Sequence, residues 1–262
     1  MTGTDFTGER LPAASGDFAV DLERHLAAYR FAAGRVAGRS VLDAGCGEGY
    51  GAALLTASAA RVVGIDRAEA VRVASARHGG PRLEFRPQNL ERLDEVPEVF
   101  DVVVSFQVIE HIPDPVAFLR ALAARVAPGG ELIVTTPNRL MSVSENPYHL
   151  REWTAPELLA LATPVLSGVR MLGVHGSTRV LAYERARGEQ VRRILRLDPL
   201  GVRRLLPEVV VRRVFPRLAS LVRRRLRERG AGMVGPEDFR VHADDLGDAL
   251  DLMLSWSAPG AI

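Results

Sequence analysis

Val41-Leu42-Asp43-Ala44-Gly45-Cys46-Gly47-Glu48-Gly49 is the stretch on which the fold turns. A short apolar run, Ser40–Ala44, leads straight into glycines, and an Ala/Leu-rich segment that reads as helical, Gly49–Ala59, follows. Strand, glycine loop and helix open an α/β unit. The glycines let backbone approach a ligand closely, and the helix start offers unpaired N–H groups. The next strand-like run, Arg61–Ile65, ends on Asp66, 23 residues after Asp43. An acid at that place accepts hydrogen bonds from both hydroxyls of an adenosine ribose.

Two cofactor classes use this geometry. Gly47-Glu48-Gly49-Tyr50-Gly51-Ala52 matches the dinucleotide pattern G-x-G-x-x-G/A. That frame begins after Gly45, leaving Asp43 and a glycine unused at the strand end. An acid there repels pyrophosphate but suits the amino group and sulfonium of S-adenosylmethionine. The frame that starts at Asp43 and Gly45 is therefore preferred, and a nicotinamide-dependent reductase is disfavoured.

Working outward, strand-like and helix-like segments alternate over the first 150 residues, the signature of an α/β sheet. Asp17–Val36 reads as an amphipathic helix with Leu22, Leu26, Tyr29, Ala33 and Val36 on one stripe. Ala68–His78 is helical and Arg82–Arg86 alternates as a strand does. Phe100–Phe106 is a near-continuous apolar run, as in a parallel strand buried on both faces. A helix over Pro115–Val126 stops before the Pro128-Gly129-Gly130 turn, and Glu131–Thr136 is the next strand. Thr154-Ala155-Pro156-Glu157 is a helix start with Thr154 as N-cap. Val169–Val174, Asp238–Val241 and Ala249–Ser257 complete the strands. The chain thus divides into an α/β domain, residues 1–176 and 233–262, and a helical insertion, residues 177–232.

The chain's 262 residues are 47% hydrophobic and 25% charged, proportions of a globular protein. One cysteine, Cys46, excludes an internal disulfide. No apolar h-region precedes Gly16, and no apolar run approaches the ~20 residues of a membrane span. These features together point to the cytoplasm. There is no lysine, and the arginines cluster: 17 Arg stand against 21 Asp and Glu in residues 1–178, 16 against 5 in 179–232, and 1 against 6 in 233–262. The net charge is +2. For Arg223-Arg224-Arg225-Leu226-Arg227-Glu228-Arg229 and its surroundings three roles compete: a solvated helix face, a cap over an acidic or phosphorylated acceptor, or attachment to a membrane surface or nucleic acid. Only Tyr183 and Phe215 are aromatic in the insertion, which argues against single-stranded nucleic acid.

With the glycine loop and Asp66 stand Phe100-Asp101-Val102-Val103-Val104-Ser105-Phe106-Gln107-Val108-Ile109-Glu110-His111 and Arg125-Val126-Ala127-Pro128-Gly129-Gly130-Glu131-Leu132. In these motifs, over about residues 18–175, the chain resembles class I S-adenosylmethionine-dependent methyltransferases. The resemblance implies a Rossmann-like, seven-stranded, mostly parallel sheet with helices on both faces. It implies S-adenosylmethionine as cofactor, with Gly45, Gly47 and Gly49 forming the loop and Asp66 binding ribose. Asp43, Cys46, Tyr50 and Arg67 adjoin those positions. Many members carry an acid after the third strand; here Gln88-Asn89-Leu90 stands, and the Asn89 carbonyl can meet the adenine amino group. Phe106 and Gln107 would line the adenine or methyl region.

Gly8-Glu9-Arg10, His25 with Tyr29, Thr136-Pro137-Asn138-Arg139, Asn146-Pro147-Tyr148-His149-Leu150-Arg151-Glu152 and His175-Gly176 are similar to a narrower group. These are actinobacterial methyltransferases associated with O-methylation of sugars and intracellular polysaccharides, including the methylglucose lipopolysaccharide type of mycobacteria. That likeness implies a small-molecule or saccharide acceptor. His25 and Tyr29, one turn apart on a helix, would close over the methionine end of the cofactor, and Arg10 would pair with its carboxylate.

A sugar hydroxyl is a poor nucleophile and gains from a general base, with histidine the usual choice. His111 follows the fourth strand at the carboxyl edge, where open α/β sheets bind ligands. It serves as base, or Glu110-His111 positions the loop before Pro113. His149, in the polar loop after the fifth strand, is the second candidate, with loop packing as its other role. Glu110, Tyr148, Arg151 and His175 are candidate acceptor contacts. No cluster has metal-ligand spacing, so no required metal is expected.

Overall fold

The computed structural model describes residues 18–142, 146, 148–195, 223–224 and 234–260. Eight strands form one sheet: β1 (Ser40–Ala44), β2 (Arg61–Asp66), β3 (Leu83–Pro87), β4 (Phe100–Phe106), β5 (Val126–Pro137), β6 (Arg170–Gly176), β7 (Phe239–His242) and β8 (Asp251–Ser257). Their order is β3-β2-β1-β4-β5-β8-β6-β7. The five N-terminal strands are mutually parallel, while β8 runs antiparallel to β5 and β6, and β7 antiparallel to β6. The sheet is therefore mixed and has eight strands, one for each strand-like run read in the sequence, rather than the seven that the family resemblance implies. The additional edge strand is β7, a four-residue strand that completes the hydrogen bonding of β6.

Alternation along the central strands sends side chains to two cores. Val41, Val62, Val102 and Val104 join the core beneath α1 (Ala19–Ala33) and α2 (Tyr50–Leu55). Leu42, Val63 and Val103 join the other, beneath α4 (Pro115–Ala123) and α5 (Ala155–Ala162). A strand flanked by both cores has no solvent face, which is why β4 reads Phe-Asp-Val-Val-Val-Ser-Phe without polar alternation. Burying one such valine or leucine side chain contributes about 1.5–3 kcal/mol. α3 (Ala68–His78) crosses from β2 to β3.

Several boundaries moved from expectation. Pro128-Gly129-Gly130 does not separate a helix from a strand; β5 already starts at Val126, and the turn is absorbed as an irregularity. The register with β4 jumps from Phe100–Val126 to Val102–Glu131 across it. The apolar stripe expected on α1 is right at Tyr29, but the buried face runs through Val20, Asp21, Ala28 and Ala32, while Leu22 and Leu26 are only half-buried. An aspartate is buried there because arginines neutralise it. At α5, Glu157 accepts from both the backbone N–H (2.8 Å) and the hydroxyl (2.9 Å) of Thr154, so the expected helix start is present.

Of the expected insertion over residues 177–232, the described part is α6 (Thr178–Leu195) and residues 223–224. Pro199, Pro207, Pro216 and residues 225–229 lie outside the described residues. Among the described residues no helix is long and apolar enough to cross a membrane.

Candidate active site

The strand order reverses between β1 and β4, the kind of switch point outside whose carboxyl strand ends open α/β sheets bind ligands. The β1 loop turns through Gly45, Gly47 and Gly49, all with positive φ (93°, 54° and 84°). The N–H groups of Gly45 and Cys46 both donate to the Ile65 carbonyl (2.8 and 3.1 Å), which stitches the loop to the end of β2. A Cβ on Gly45 would collide with the Val108 side chain and would meet Leu90 Cδ1 at 3.5 Å. Only glycine lets the β4 loop and Leu90 close over this turn. Cys46 is buried beneath it.

Asp66 stands at the end of β2, half-exposed. One carboxylate oxygen accepts from Gly47 N–H (2.9 Å), the other from Arg67 N–H (2.7 Å). A carboxylate has about four acceptor positions, so a ribose diol can add to a group already aimed by backbone. The exposed Arg67 contributes that backbone donor at the start of α3. Asn89 has a local role, with one lone pair of its amide oxygen left over. Its carbonyl accepts from Glu91 N–H (3.0 Å) and caps a short turn, because an asparagine before a tight turn satisfies the nearest orphan donor first.

An aromatic box stands where α1 and α2 meet the end of β4. His25, Tyr29, Tyr50 and Phe106 meet edge to face, with centroid distances of 5.2 Å for His25–Tyr29 and 4.8 Å for Tyr29–Phe106. His25 Nδ1 is hydrogen-bonded to the Tyr50 hydroxyl. Burial pushes the His25 imidazole down to about 4, with Arg24 adding to the shift, so it is neutral. The Tyr29 hydroxyl donates to Asp43 at 3.0 Å. Asp43 is fully buried, and burial pushes its carboxyl up to about 7 against the pull of that hydrogen bond. A buried acid with so raised a pKa is a candidate functional group. Thus α1 brings Tyr29 to Asp43 and His25 to Tyr50. Arg10, the expected partner of a carboxylate, lies outside the described residues.

Gln107 follows β4 with φ 58°, one of two non-glycine residues with positive φ among those described. Such backbone strain concentrates at functional sites. Its amide donates to Thr135 Oγ1 (3.4 Å). Opposite lies Asp251 at the start of β8, buried, with Arg24 at 3.3 Å. Burial pushes the Asp251 carboxyl up to about 6, with Arg24 and the Gln107 side chain opposing the shift. Neither Arg24 nor Asp251 stood out in the sequence. The available signal was an acid opening an otherwise apolar strand, Asp251-Leu252-Met253-Leu254.

The acceptor side is built by the turn Ile109–His111 and the loop before α5. The Glu110 carbonyl accepts from the backbone N–H groups of Leu150 (2.8 Å) and Arg151 (3.4 Å), clamping the two segments. Glu110 is 1% exposed; its Oε2 accepts from the Thr136 hydroxyl (3.0 Å) while Oε1 is buried with no hydrogen bond. Burial pushes its carboxyl up to about 7, against the pull of nearby His149. His111 and His149 lie edge to face at 4.9 Å. His111 Nδ1–H donates to the Tyr148 carbonyl (2.8 Å). His149 Nδ1–H donates to Glu152 (2.5 Å), and its Nε2 accepts from the Asn146 amide (2.9 Å). Both imidazoles are therefore held with the proton on Nδ1 and the lone pair on Nε2.

These contacts correct the expectation that no residues gather as metal ligands. The ligand atoms of Glu110, His111 and His149 lie within 4.8 Å of one another. Sequence spacing hid the group because His149 comes from a different loop. Other expected acceptor contacts divide. Tyr148 is buried and serves through its carbonyl. Arg151 is exposed, its guanidinium 5.8 Å from the Trp153 ring. His175 stacks on His242 (centroids 3.7 Å, planes 9° apart) at the β6–β7 edge, not on His111 or His149.

Two arginines of the basic segment turn inward. Arg187 (3.2 Å) and Arg223 (2.8 Å) both pair with Asp21 on α1, and all three are largely buried. The same helix carries Arg24, His25 and Tyr29 to the site.

A sequence profile described as a methyltransferase domain matches residues 21–164. A protein of Mycolicibacterium smegmatis, named a probable S-adenosylmethionine-dependent methyltransferase, is 43% identical over 160 residues, covering 59% of this chain and 62% of that protein. A ubiquinone biosynthesis O-methyltransferase of Pseudomonas putida is 40% identical over 108 residues, covering 40% and 47%. The chain thus spans less than two thirds of the length of these relatives. Among solved structures, the N-methyltransferase NodS of Bradyrhizobium japonicum, in complex with S-adenosyl-L-homocysteine, has a TM-score of 0.51 at 20% identity. It covers 61% of this chain and 81% of its own. At that identity the likeness speaks for the fold alone.

Proposed function

The chain belongs to the methyltransferase-domain family, and on that premise we propose that it binds S-adenosylmethionine and methylates a hydroxyl of a saccharide. The observation that carries this reading is the juxtaposition, on one sheet edge, of a buried carboxylate, Asp43, with two histidines whose Nδ1 atoms are committed to the Tyr148 carbonyl and the Glu152 carboxylate, which orients both rings as a general base is oriented. Asp43 and the aromatic box take the methionine end, Asp66 the ribose, and Leu90 one side of the adenine.

Methyl transfer from sulfonium is an in-line displacement: the acceptor oxygen bonds to the methyl carbon as the carbon–sulfur bond breaks. Holding the reactants in line supplies about 7–11 kcal/mol of the barrier. His149 or His111 takes the hydroxyl proton at Nε2. Glu152, held below the usual carboxylate range by His149 and Ser142 despite its burial, stabilises the imidazolium that forms on His149. The narrower motif likeness and the acid-rich, hydrogen-bonding acceptor side support a polyhydroxylated acceptor. A smaller acceptor is the second reading, favoured by the likeness to the ubiquinone biosynthesis enzyme. Arg187 and Arg223, paired with Asp21, are spent on docking against α1 and are not available to a membrane surface or nucleic acid.

Incubation with methyl-labelled cofactor and two acceptor panels, one of neutral oligosaccharides and one of quinols, tests the proposal. We expect label in a saccharide ether, with His149→Ala lowering kcat by about 10²–10⁴-fold. Transfer to quinols alone overturns the saccharide reading.

A further inference from the structure

We propose that Glu110, His111 and His149 form a binding site for a divalent transition-metal cation. Glu110 provides the strongest sign. It is 1% exposed, one oxygen is committed to Thr136, and the other is buried with no hydrogen-bond partner. A buried acceptor left in that state is costly unless a ligand completes it. Its neighbours are two imidazoles, and all three donor atoms lie within 4.8 Å of one another.

The surroundings of both rings are those of metal ligands. A ligating histidine typically donates its second N–H to a carbonyl or carboxylate, which fixes the tautomer. His111 donates Nδ1–H to the Tyr148 carbonyl, and His149 donates Nδ1–H to the Glu152 carboxylate. Each therefore carries its lone pair on Nε2. That of His149 is met by the Asn146 amide (2.9 Å), a neutral donor that a cation would displace. Donors on one ion at ~2.0–2.2 Å stand about 3–3.5 Å apart, so the group needs to close by up to about 1.5–2 Å.

The donor set decides the class of ion. Two imidazoles and one carboxylate suit manganese, iron, cobalt, nickel or zinc, whereas magnesium and calcium prefer oxygen throughout. Three protein ligands leave positions for water or an acceptor oxygen; an ion held there takes up the Nε2 lone pairs of both rings, so in the metal-loaded protein the acidity that the ion lends a bound hydroxyl replaces the histidine base. That last role rests on the reading of these strand ends as a methyl-transfer site; the binding itself does not.

The test is calorimetric titration of the full chain, freed of metal by chelator, with Mn²⁺, Co²⁺ and Mg²⁺, without cofactor or acceptor. The expected result is one site for Mn²⁺ and Co²⁺, a visible Co²⁺ spectrum of mixed nitrogen and oxygen ligation, and Mg²⁺ at least tenfold weaker. Glu110→Gln and His149→Ala abolish the site, and Glu152→Gln weakens it about 10–100-fold through His149. Circular dichroism confirms that each variant is folded. His242→Ala, at the stacked pair on the far strands, leaves binding intact. Absence of Mn²⁺ and Co²⁺ binding, unchanged binding in folded Glu110→Gln, or loss in His242→Ala overturns the proposal. S-adenosylmethionine titrated into the same samples reports on the cofactor half separately.

Discussion

Replacing Gly51 by alanine places one methyl group where the structure has none to spare. The new Cβ would overlap three carbons of the Tyr29 ring, well inside the ~3.5–4.0 Å at which carbon atoms rest in contact. Tyr29 is 1% exposed and cannot swing aside, because His25, Tyr50 and Phe106 surround it and its hydroxyl is bonded to Asp43. Overpacking of this kind costs about 1–3 kcal/mol, which for a chain of this size lowers Tm by roughly 2–12 °C. If the ring yields instead, Asp43 loses its donor and cofactor affinity falls. Thermal melts of the ligand-free protein and cofactor titrations read the two effects. Tyr29→Ala removes the obstacle, so the double variant must be less destabilised than the sum of the singles, by an interaction energy of at least about 1 kcal/mol. A Gly51→Ala protein as stable as wild type, or strictly additive singles, would refute the packing described for α1 against α2.

Further outcomes follow from the charges. Asp43 ionises near 7 in the ligand-free protein and must be anionic to pair with the cofactor's ammonium, so affinity rises with pH from 6 to 7.5; Asp43→Asn flattens that rise, and a pH-independent wild type contradicts it. Without cofactor the sign for stability is opposite: the raised folded value binds extra protons, and the stabilisation present at low pH is lost as pH rises through about 7. Asp21 behaves conversely. Arg223 and Arg187 outweigh its burial and hold its carboxyl well below the usual range, so its contribution is present above pH ~4 and lost progressively in acid. Asp21→Ala removes the carboxylate that Arg187 and Arg223 share while leaving Arg187 its pair with Glu184, and should cost about 1.5–3 kcal/mol in denaturant melts. A loss below 1 kcal/mol would mean that the basic segment is not docked on α1.

Much of this was readable from residue order. The stretch Val41–Gly49, the apolar β4 and Asp66 encode local rules: a strand with no solvent face, a turn needing positive φ, an acid at a strand end. Where sequence reading failed, distant residues decided. Pro128-Gly129-Gly130 carries turn chemistry, but pairing with β4 draws Val126 into the strand. The buried face of α1 includes Asp21 because arginines far along the chain fold back on it. The group Glu110, His111 and His149 exists because the Glu110 carbonyl clamps the Leu150 backbone. His175 carried no mark that it would stack on His242.

The central claim is that the Asp43–Gly49 loop and Asp66 hold S-adenosylmethionine. Calorimetric titration of the purified chain with S-adenosylmethionine, beside Asp66→Ala, tests it most directly. The account predicts one saturable site in the wild type. It predicts about 100-fold weaker binding in the variant, corresponding to about 3 kcal/mol for two hydrogen bonds to a carboxylate. Absence of binding in the wild type, or equal binding in the two proteins, would contradict it.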